Sequence, residues 1–221
     1  MIVLENGARI HFEWINPDQS KPVIVFLHEG LGSIEQWKGY PRELCNRTGL
    51  PGFVYDRQGH GKSDALSEKR EETYLEKYAL DELPQVIQAQ LDGRDLILYG
   101  HSDGGTISLI YASRFPDKIK SIITEAAHIY VEQVTWEGIT PVADEFKTQG
   151  RFYQALKKYH GEKVEDSFYA WADTWKLKNE NHWDVSHYLA DVSAPLVAIQ
   201  GKQDQYATDQ HLYDICKGVS G

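Results

Sequence analysis

The segment Gly100–Gly105, with the sequence GHSDGG, is the feature that most constrains the fold of this chain. A serine with a glycine two residues away on each side suits a sharp strand-to-helix turn, where neighbouring side chains would collide. The flanks agree with this interpretation: residues 95–99 are an apolar run of strand length, and residues 106–112 carry apolar residues at helical spacing. The motif predicts a nucleophile elbow at Ser102, with the positive end of the next helix close to its hydroxyl.

Strand and helix patterns alternate along most of the chain. Residues 1–15 predict an antiparallel hairpin around Asn6-Gly7. Strand-length apolar runs follow at 22–28, 52–55, 95–99, 119–127 and 195–200. Helix patterns lie between them at 34–48, at 71–91 with Pro84 as a kink or second start, and after Ser102. This order predicts an α/β fold, with a mostly parallel central sheet and helices on both faces.

Composition restricts the partners. The net charge is −10 and the pI about 5.3, which argues against nucleic acid or an anionic membrane and favours a small-molecule substrate. No signal-peptide pattern or run of roughly 20 apolar residues is present, so we expect a cytoplasmic protein. Cys45 and Cys216 lack metal or redox spacing and are expected to be reduced thiols. We expect no metal and no cofactor, and the oligomeric state stays open.

The loop after the 22–28 strand is a second candidate for chemistry. Acyl transfer needs backbone N–H groups aimed at the developing oxyanion, and loops with small side chains allow that approach. We assign one donor to the N–H of Gly30 and the other to the N–H of Asp103, although an ordinary strand-to-helix turn explains the loop equally well. His28, Glu29 and His101 lie near the elbow in the predicted fold and are candidates for lining the substrate pocket.

Three motifs in order, at 27–30, 55–63 and 100–105, resemble those of the α/β-hydrolase superfamily. The resemblance implies that Ser102 is the nucleophile, as in esterases, thioesterases, lactonases, amidases and carbon–carbon bond hydrolases. His60, within the second motif, is a candidate base, but its position before the serine and between two glycines is more typical of a hydrogen-bonding loop. Glu29 departs from the pattern, because relatives often carry glycine there.

Residues 128–190 break the alternation and are rich in aromatic side chains on helix-like segments. The resemblance implies a helical cap at 128–190 on a core of residues 1–127 and 191–221. The alternative is that these aromatic residues only pack the segment together.

The resemblance also implies a catalytic acid after the 195–200 strand, and Asp204 is the candidate, with a surface-loop aspartate as the alternative. In this family the histidine follows the acid. Only His211 does so, and it falls in a predicted helix that is badly placed to reach Ser102. The family's last strand, histidine loop and final helix have no counterpart among these residues, so we expect the catalytic base to lie beyond residue 221.

Two hypotheses follow. The first is a serine hydrolase that cleaves a small carboxylic ester or thioester through an acyl-enzyme on Ser102, with lactone or carbon–carbon bond hydrolysis left open. The second is a non-catalytic ligand-binding or interaction protein on the same fold.

Overall fold

The structure is a computed structural model that describes residues 1–221. Its strands are, in chain order, β1 (Ile2–Val3), β2 (Arg9–Ile10), β3 (Phe12–Ile15), β4 (Val23–Leu27), β5 (Gly52–Tyr55), β6 (Leu96–His101), β7 (Ile119–Glu125) and β8 (Leu196–Ile199). β1 and β2 form the predicted antiparallel hairpin. The other six form one sheet in the order β3-β5-β4-β6-β7-β8, in which only β3 and β5 are antiparallel. The predicted mostly parallel sheet is confirmed.

The helices are α1 (Tyr40–Thr48), α2 (Tyr74–Lys77), α3 (Leu83–Gln90), α4 (Asp103–Arg114), α5 (Gln133–Lys147), α6 (Arg151–His160), α7 (Val164–Glu180) and α8 (Gln210–Gly218). None of them is long and apolar enough to cross a membrane.

The central strand β4 shows why the sheet sequence is continuously apolar, because all five of its residues are buried. Val23, Val25 and Leu27 belong to the large core that includes residues of α3 and α4. Ile24 and Phe26 point the other way and pack with residues of α1. Both faces of the strand are therefore covered, as period-2 alternation requires.

The sequence predicts one helix over 34–48, but the structure divides it. A 3-10 turn covers Ile34–Trp37, and α1 begins only at Tyr40. Lys38 has a positive φ of 54°, which interrupts the helix. Pro41 lies in the first turn of α1, where a residue without an N–H is tolerated.

The prediction of a helix over 71–91 with a second start at Pro84 is closer to the structure than the prediction over 34–48. A π-helical turn at Tyr78–Glu82 joins α2 to α3, and Pro84 lies in the first turn of α3. The irregular turn fits the missing N–H of Pro84, which cannot donate into the preceding turn.

The connection from β7 to β8 contains α5, α6 and α7, which we call the three-helix segment (133–180). It has a core of its own, in which the rings of Phe146 and Phe168 stack with centroids 3.6 Å apart. Other residues reach the main domain, such as Trp171, whose indole lies against Gly30. Beyond this connection, β8 pairs with β7 on one side only, and Val197 and Ile199 are exposed.

Candidate active site

The backbone at Ser102 has the geometry that the glycine spacing predicts. β6 ends at His101 and α4 begins at Asp103, so Ser102 alone makes the turn, with φ 52° and ψ −116°. A Cβ at Gly100 would overlap the backbone of Gly104, and a Cβ at Gly104 would overlap the Leu27 carbonyl. Only glycine fits at both positions, and the tight packing holds Ser102 in its strained conformation.

A cavity of about 320 Å³ lies over Ser102. The residues of the main domain that line it and matter for the chemistry are Glu29, Gly30, His101, Ser102, His128 and Asp204. Ile139, Phe152, Leu156, Trp171 and Trp175 of the three-helix segment form much of the apolar wall. The structure thus brings most of the sequence-predicted site residues to one cavity at the carboxyl ends of the strands.

The two predicted oxyanion donors have free N–H groups. The Gly30 N–H makes no hydrogen bond within the chain. Asp103 opens α4, where the first N–H groups have no intrahelical acceptor. Gly30 must be glycine here, because a Cβ would collide with the Trp171 indole.

Glu29 stabilises the loop from within. Its carboxylate accepts the Leu31 N–H at 2.5 Å. Burial, opposed by this hydrogen bond, raises the pKa of Glu29 above its usual range. The acidic residue that departs from the family pattern therefore closes its own turn, while its side chain borders the cavity.

Asp204 faces the same cavity with its carboxylate held in place. Oδ2 accepts a hydrogen bond from the Gln200 amide at 2.9 Å, and Oδ1 accepts the Tyr206 N–H at 2.8 Å. These contacts fix its orientation without neutralising its charge.

His28 lies beneath the oxyanion loop and does not line the cavity over Ser102. It is 2% exposed, its Nδ1 donates to the Glu29 carbonyl at 2.7 Å, and its Nε2 accepts the Arg57 N–H at 3.2 Å. Burial, reinforced by the charge of Arg57, lowers the pKa of His28 well below its usual range. It is a neutral ring that holds the loop, and it lines a neighbouring cavity with Glu29 and His101 rather than the cavity over Ser102.

No imidazole hydrogen-bonds to the Ser102 hydroxyl. The histidine rings that form hydrogen bonds all do so with other partners. His211 accepts the Ile129 N–H at 3.3 Å and lies 3.1 Å from Glu132, away from the cavity. This location agrees with the expectation that His211 is badly placed to act as the base.

His128 is the cavity residue that the sequence analysis missed. It follows the carboxyl end of β7, so the convergence of parallel strand ends was a signal that pointed to it. Its Nε2 lies 3.2 Å from the Tyr206 carbonyl, and its Nδ1 has no partner. Burial lowers the pKa of His128, although the nearby Asp204 charge opposes this shift.

The structure contains no cluster of three or more His, Cys, Asp or Glu side chains arranged to hold a metal ion. The chemistry that this geometry supports is nucleophilic attack by a serine on a carbonyl carbon, with backbone donors for the oxyanion.

Comparison with known proteins agrees with this geometry. Residues 22–188 match the protein family described as alpha/beta hydrolase fold. The chain is 24% identical to human serine hydrolase BPHL over 228 residues, which covers 99% of this chain and 75% of that protein. It is 31% identical over 124 residues to a proline iminopeptidase of Chitinophaga pinensis, over 52% of this chain and 38% of that enzyme. The solved structure of the esterase EaEST from Exiguobacterium antarcticum superposes with a TM-score of 0.76 at 19% identity, over 100% of this chain and 87% of that one.

Proposed function

Because this chain belongs to the α/β-hydrolase family, we propose that it is a serine hydrolase that cleaves a small carboxylic ester or thioester. The observation that carries the proposal is the strained Ser102 at the floor of a cavity that also contains Gly30 and Asp204. The cavity volume of about 320 Å³ suits a small substrate, and its apolar wall suits an uncharged acyl group.

In the proposed reaction, Ser102 Oγ attacks the substrate carbonyl carbon, and the carbonyl oxygen becomes negative. The N–H groups of Gly30 and Asp103 donate to that oxygen, and the N-terminal end of α4 adds a favourable dipole. Collapse of the tetrahedral intermediate expels the alcohol or thiol and leaves the acyl group on Ser102. Water then attacks this acyl-enzyme and releases the acid.

The reaction needs an imidazole to take the proton of Ser102, and the proposed role of Asp204 is to orient that ring and stabilise the imidazolium. His101 and His128 face the cavity, but neither hydrogen-bonds to Ser102 or Asp204 in the structure. If either is the acceptor, its replacement by Gln abolishes turnover, whereas a supporting role leaves most of it in place.

We also propose that the three-helix segment serves as the cap of the site. Its Trp171 and Trp175 line the cavity opposite the strand ends. Such a cover excludes water and selects substrates by the shape of the wall. Its inner core contains Phe146, Tyr153 and Phe168, which do not line the cavity.

A second candidate function follows from the unpartnered Ser102 hydroxyl. A serine without a bonded base is a weak nucleophile, so the same cavity also suits a protein that binds a small molecule without turnover.

The test is release of p-nitrophenol from short-chain esters by the purified chain, its Ser102→Ala variant and Ser193→Ala as a control at an exposed serine. Turnover that survives Ser193→Ala and disappears in Ser102→Ala supports the hydrolase. Stoichiometric ligand binding that persists in Ser102→Ala, with no product from any variant, supports the binding protein instead.

A further inference from the structure

A histidine of the three-helix segment contacts the loop that supplies the proposed Gly30 donor. His160, the last residue of α6, is 2% exposed. Its Nε2 donates to the Leu31 carbonyl at 2.8 Å, and its Nδ1 accepts the Gly61 N–H at 3.1 Å. One ring nitrogen donates and the other accepts, so the ring is neutral with its hydrogen on Nε2. His160 therefore bridges two core loops that are separate in sequence.

The residues that follow His160 fix this end of α6 on the main domain. Lys163 Nζ donates to the carbonyls of Gly61 and Ser63 at 2.8 and 2.7 Å. Ser167 Oγ donates to the Gly59 carbonyl at 2.5 Å. Backbone carbonyls of one core loop thus form the seat of the three-helix segment, and His160 enters its position only when the segment occupies that seat.

The carbonyls of the three successive residues Glu29–Leu31 each face a different imidazole. In order, the distances are 2.7 Å to His28 Nδ1, 3.0 Å to His60 Nε2 and 2.8 Å to His160 Nε2. The C=O of one residue and the N–H of the next share a planar trans peptide, so holding the Leu31 carbonyl fixes the Gly32 N–H. The Gly32 N–H donates to the Glu29 carbonyl at 3.0 Å, and that carbonyl shares its peptide with the Gly30 N–H. His28 and His60 belong to the core, and only His160 comes from the three-helix segment.

We propose that His160 is a positioning residue for the oxyanion loop: its Nε2–H holds the Leu31 carbonyl and so couples seating of the three-helix segment to the donor geometry at Gly30. This inference rests on the proposed function. With the segment seated, the Glu29 and Leu31 carbonyls both accept hydrogen bonds. With the segment displaced, the Leu31 carbonyl loses the His160 donor and the turn that presents Gly30 is less constrained.

Two substitutions separate the two nitrogens of the ring. His160→Gln carries an amide nitrogen at about the distance of Nε2 and keeps a donor for the Leu31 carbonyl. His160→Asn is shorter, so it keeps an acceptor for the Gly61 N–H and loses the donor. Lys157→Gln, on the exposed side of the same helix, is the matched control.

Steady-state kinetics with a p-nitrophenyl ester give the first readout. We expect His160→Asn to lower kcat about 10-fold to 100-fold with little change in KM, as misplacement of a transition-state donor does. His160→Gln should keep most of kcat. Equal losses of kcat in the two variants, or no loss in His160→Asn, would overturn the proposal.

Amide hydrogen exchange gives a second readout that does not depend on turnover. The Gly32 N–H donates to the Glu29 carbonyl across the turn, so its exchange reports whether the turn is held. We expect at least about tenfold faster exchange at Gly32 in His160→Asn and near-parental exchange in His160→Gln. Unchanged exchange in His160→Asn contradicts the positioning role even in an active enzyme. If the parent chain shows no turnover, faster exchange at Gly32 in His160→Asn than in the parent still supports the positioning role, and only the hydrolase assignment fails.

Discussion

The phenol of Tyr74 donates a 2.6 Å hydrogen bond to Oδ2 of Asp103, the residue directly after Ser102. Arg57 Nη2 lies 3.9 Å from the same oxygen, and all three side chains are buried. The side chain of Asp103 is therefore anchored in the core beneath the elbow, which leaves its backbone N–H to serve the cavity.

This anchor predicts a large difference between two conservative variants. Asp103→Asn leaves the buried Arg57 guanidinium without its negative partner and should lower the free energy of unfolding by about 3–5 kcal/mol. Tyr74→Phe removes one neutral donor and should cost about 1–3 kcal/mol. Urea unfolding of both variants, with the exposed Asp117→Asn as control, measures these losses. A loss in Asp103→Asn no greater than that of the control would contradict the role of the anchor.

The elbow predicts a second contrast, between two Gly→Ala substitutions. Gly104→Ala places a Cβ inside the Leu27 carbonyl, which belongs to a central strand and cannot move aside. We expect this variant to lose at least about 3 kcal/mol of stability or to fail to fold. Gly39→Ala meets no atom within 4 Å and should stay within about 1 kcal/mol of the parent. Thermal unfolding of the two purified variants distinguishes these outcomes, and similar melting temperatures would refute the steric account.

Lys178 predicts a pH-dependent stability. Its Nζ has no hydrogen-bond partner and lies 3.3 Å from the centroid of the Trp183 ring, and burial lowers the pKa of Lys178 to about 7. Between pH 7 and the ordinary value of 10.5, the unfolded chain binds a proton here that the folded chain lacks. The contribution of Lys178 to the free energy of unfolding therefore rises with pH across this window.

Lys178→Met should remove this rise and stabilise the chain by about 1–4 kcal/mol at pH 6, with a smaller gain at pH 10. The exposed Lys176→Met is its control. Chemical unfolding at both pH values measures the two gains, and a pH-independent difference between Lys178→Met and the parent would count against a neutral buried lysine.

For Glu82 we expect the opposite dependence, in which its contribution to the free energy of unfolding falls as the pH rises. Burial raises the pKa of Glu82 to about 7, although its Oε2 accepts the Gln58 N–H at 3.0 Å. Between the ordinary value of 4.5 and 7 the folded chain holds an extra proton, so this contribution to stability falls as the pH rises.

Glu82→Gln imitates the protonated acid and should stabilise the chain by about 2 kcal/mol more at pH 8 than at pH 5. The exposed Glu68→Gln should show no such difference. An equal effect of Glu82→Gln at the two pH values would mean that burial does not raise the pKa of Glu82.

The sequence was most informative where local chemistry decides the structure. The strand at 52–55 was predicted with its observed ends, since its short apolar run is a local signal. The elbow at Ser102 was predicted because its sharp turn requires a glycine two residues before and two residues after the serine. Residues 34–48 were predicted wrongly as one helix, since the left-handed conformation of Lys38 is not encoded by a glycine.

The parts of the site that the sequence analysis missed depend on contacts between distant residues. His160 lies in a polar helix, and nothing in its neighbourhood indicates a contact with Leu31. His128 follows a strand that was predicted, yet its position in the cavity depends on the connection that continues from it. The orientation of Asp103 likewise depends on Arg57, in the loop after β5, and on Tyr74, the first residue of α2.

The position of β8 in the sheet has a consequence for the order in which the molecule assembles. Leu196 pairs with Ile122, although the whole three-helix segment separates them along the chain. β8 pairs with β7 alone and two of its four residues are exposed, so fewer buried contacts hold it than hold the central strands. We expect β8 to dock late during folding and to detach early under mild denaturant. Asp204 follows this strand and lines the cavity, so we expect the side of the cavity that carries Asp204 to form last and to be lost first.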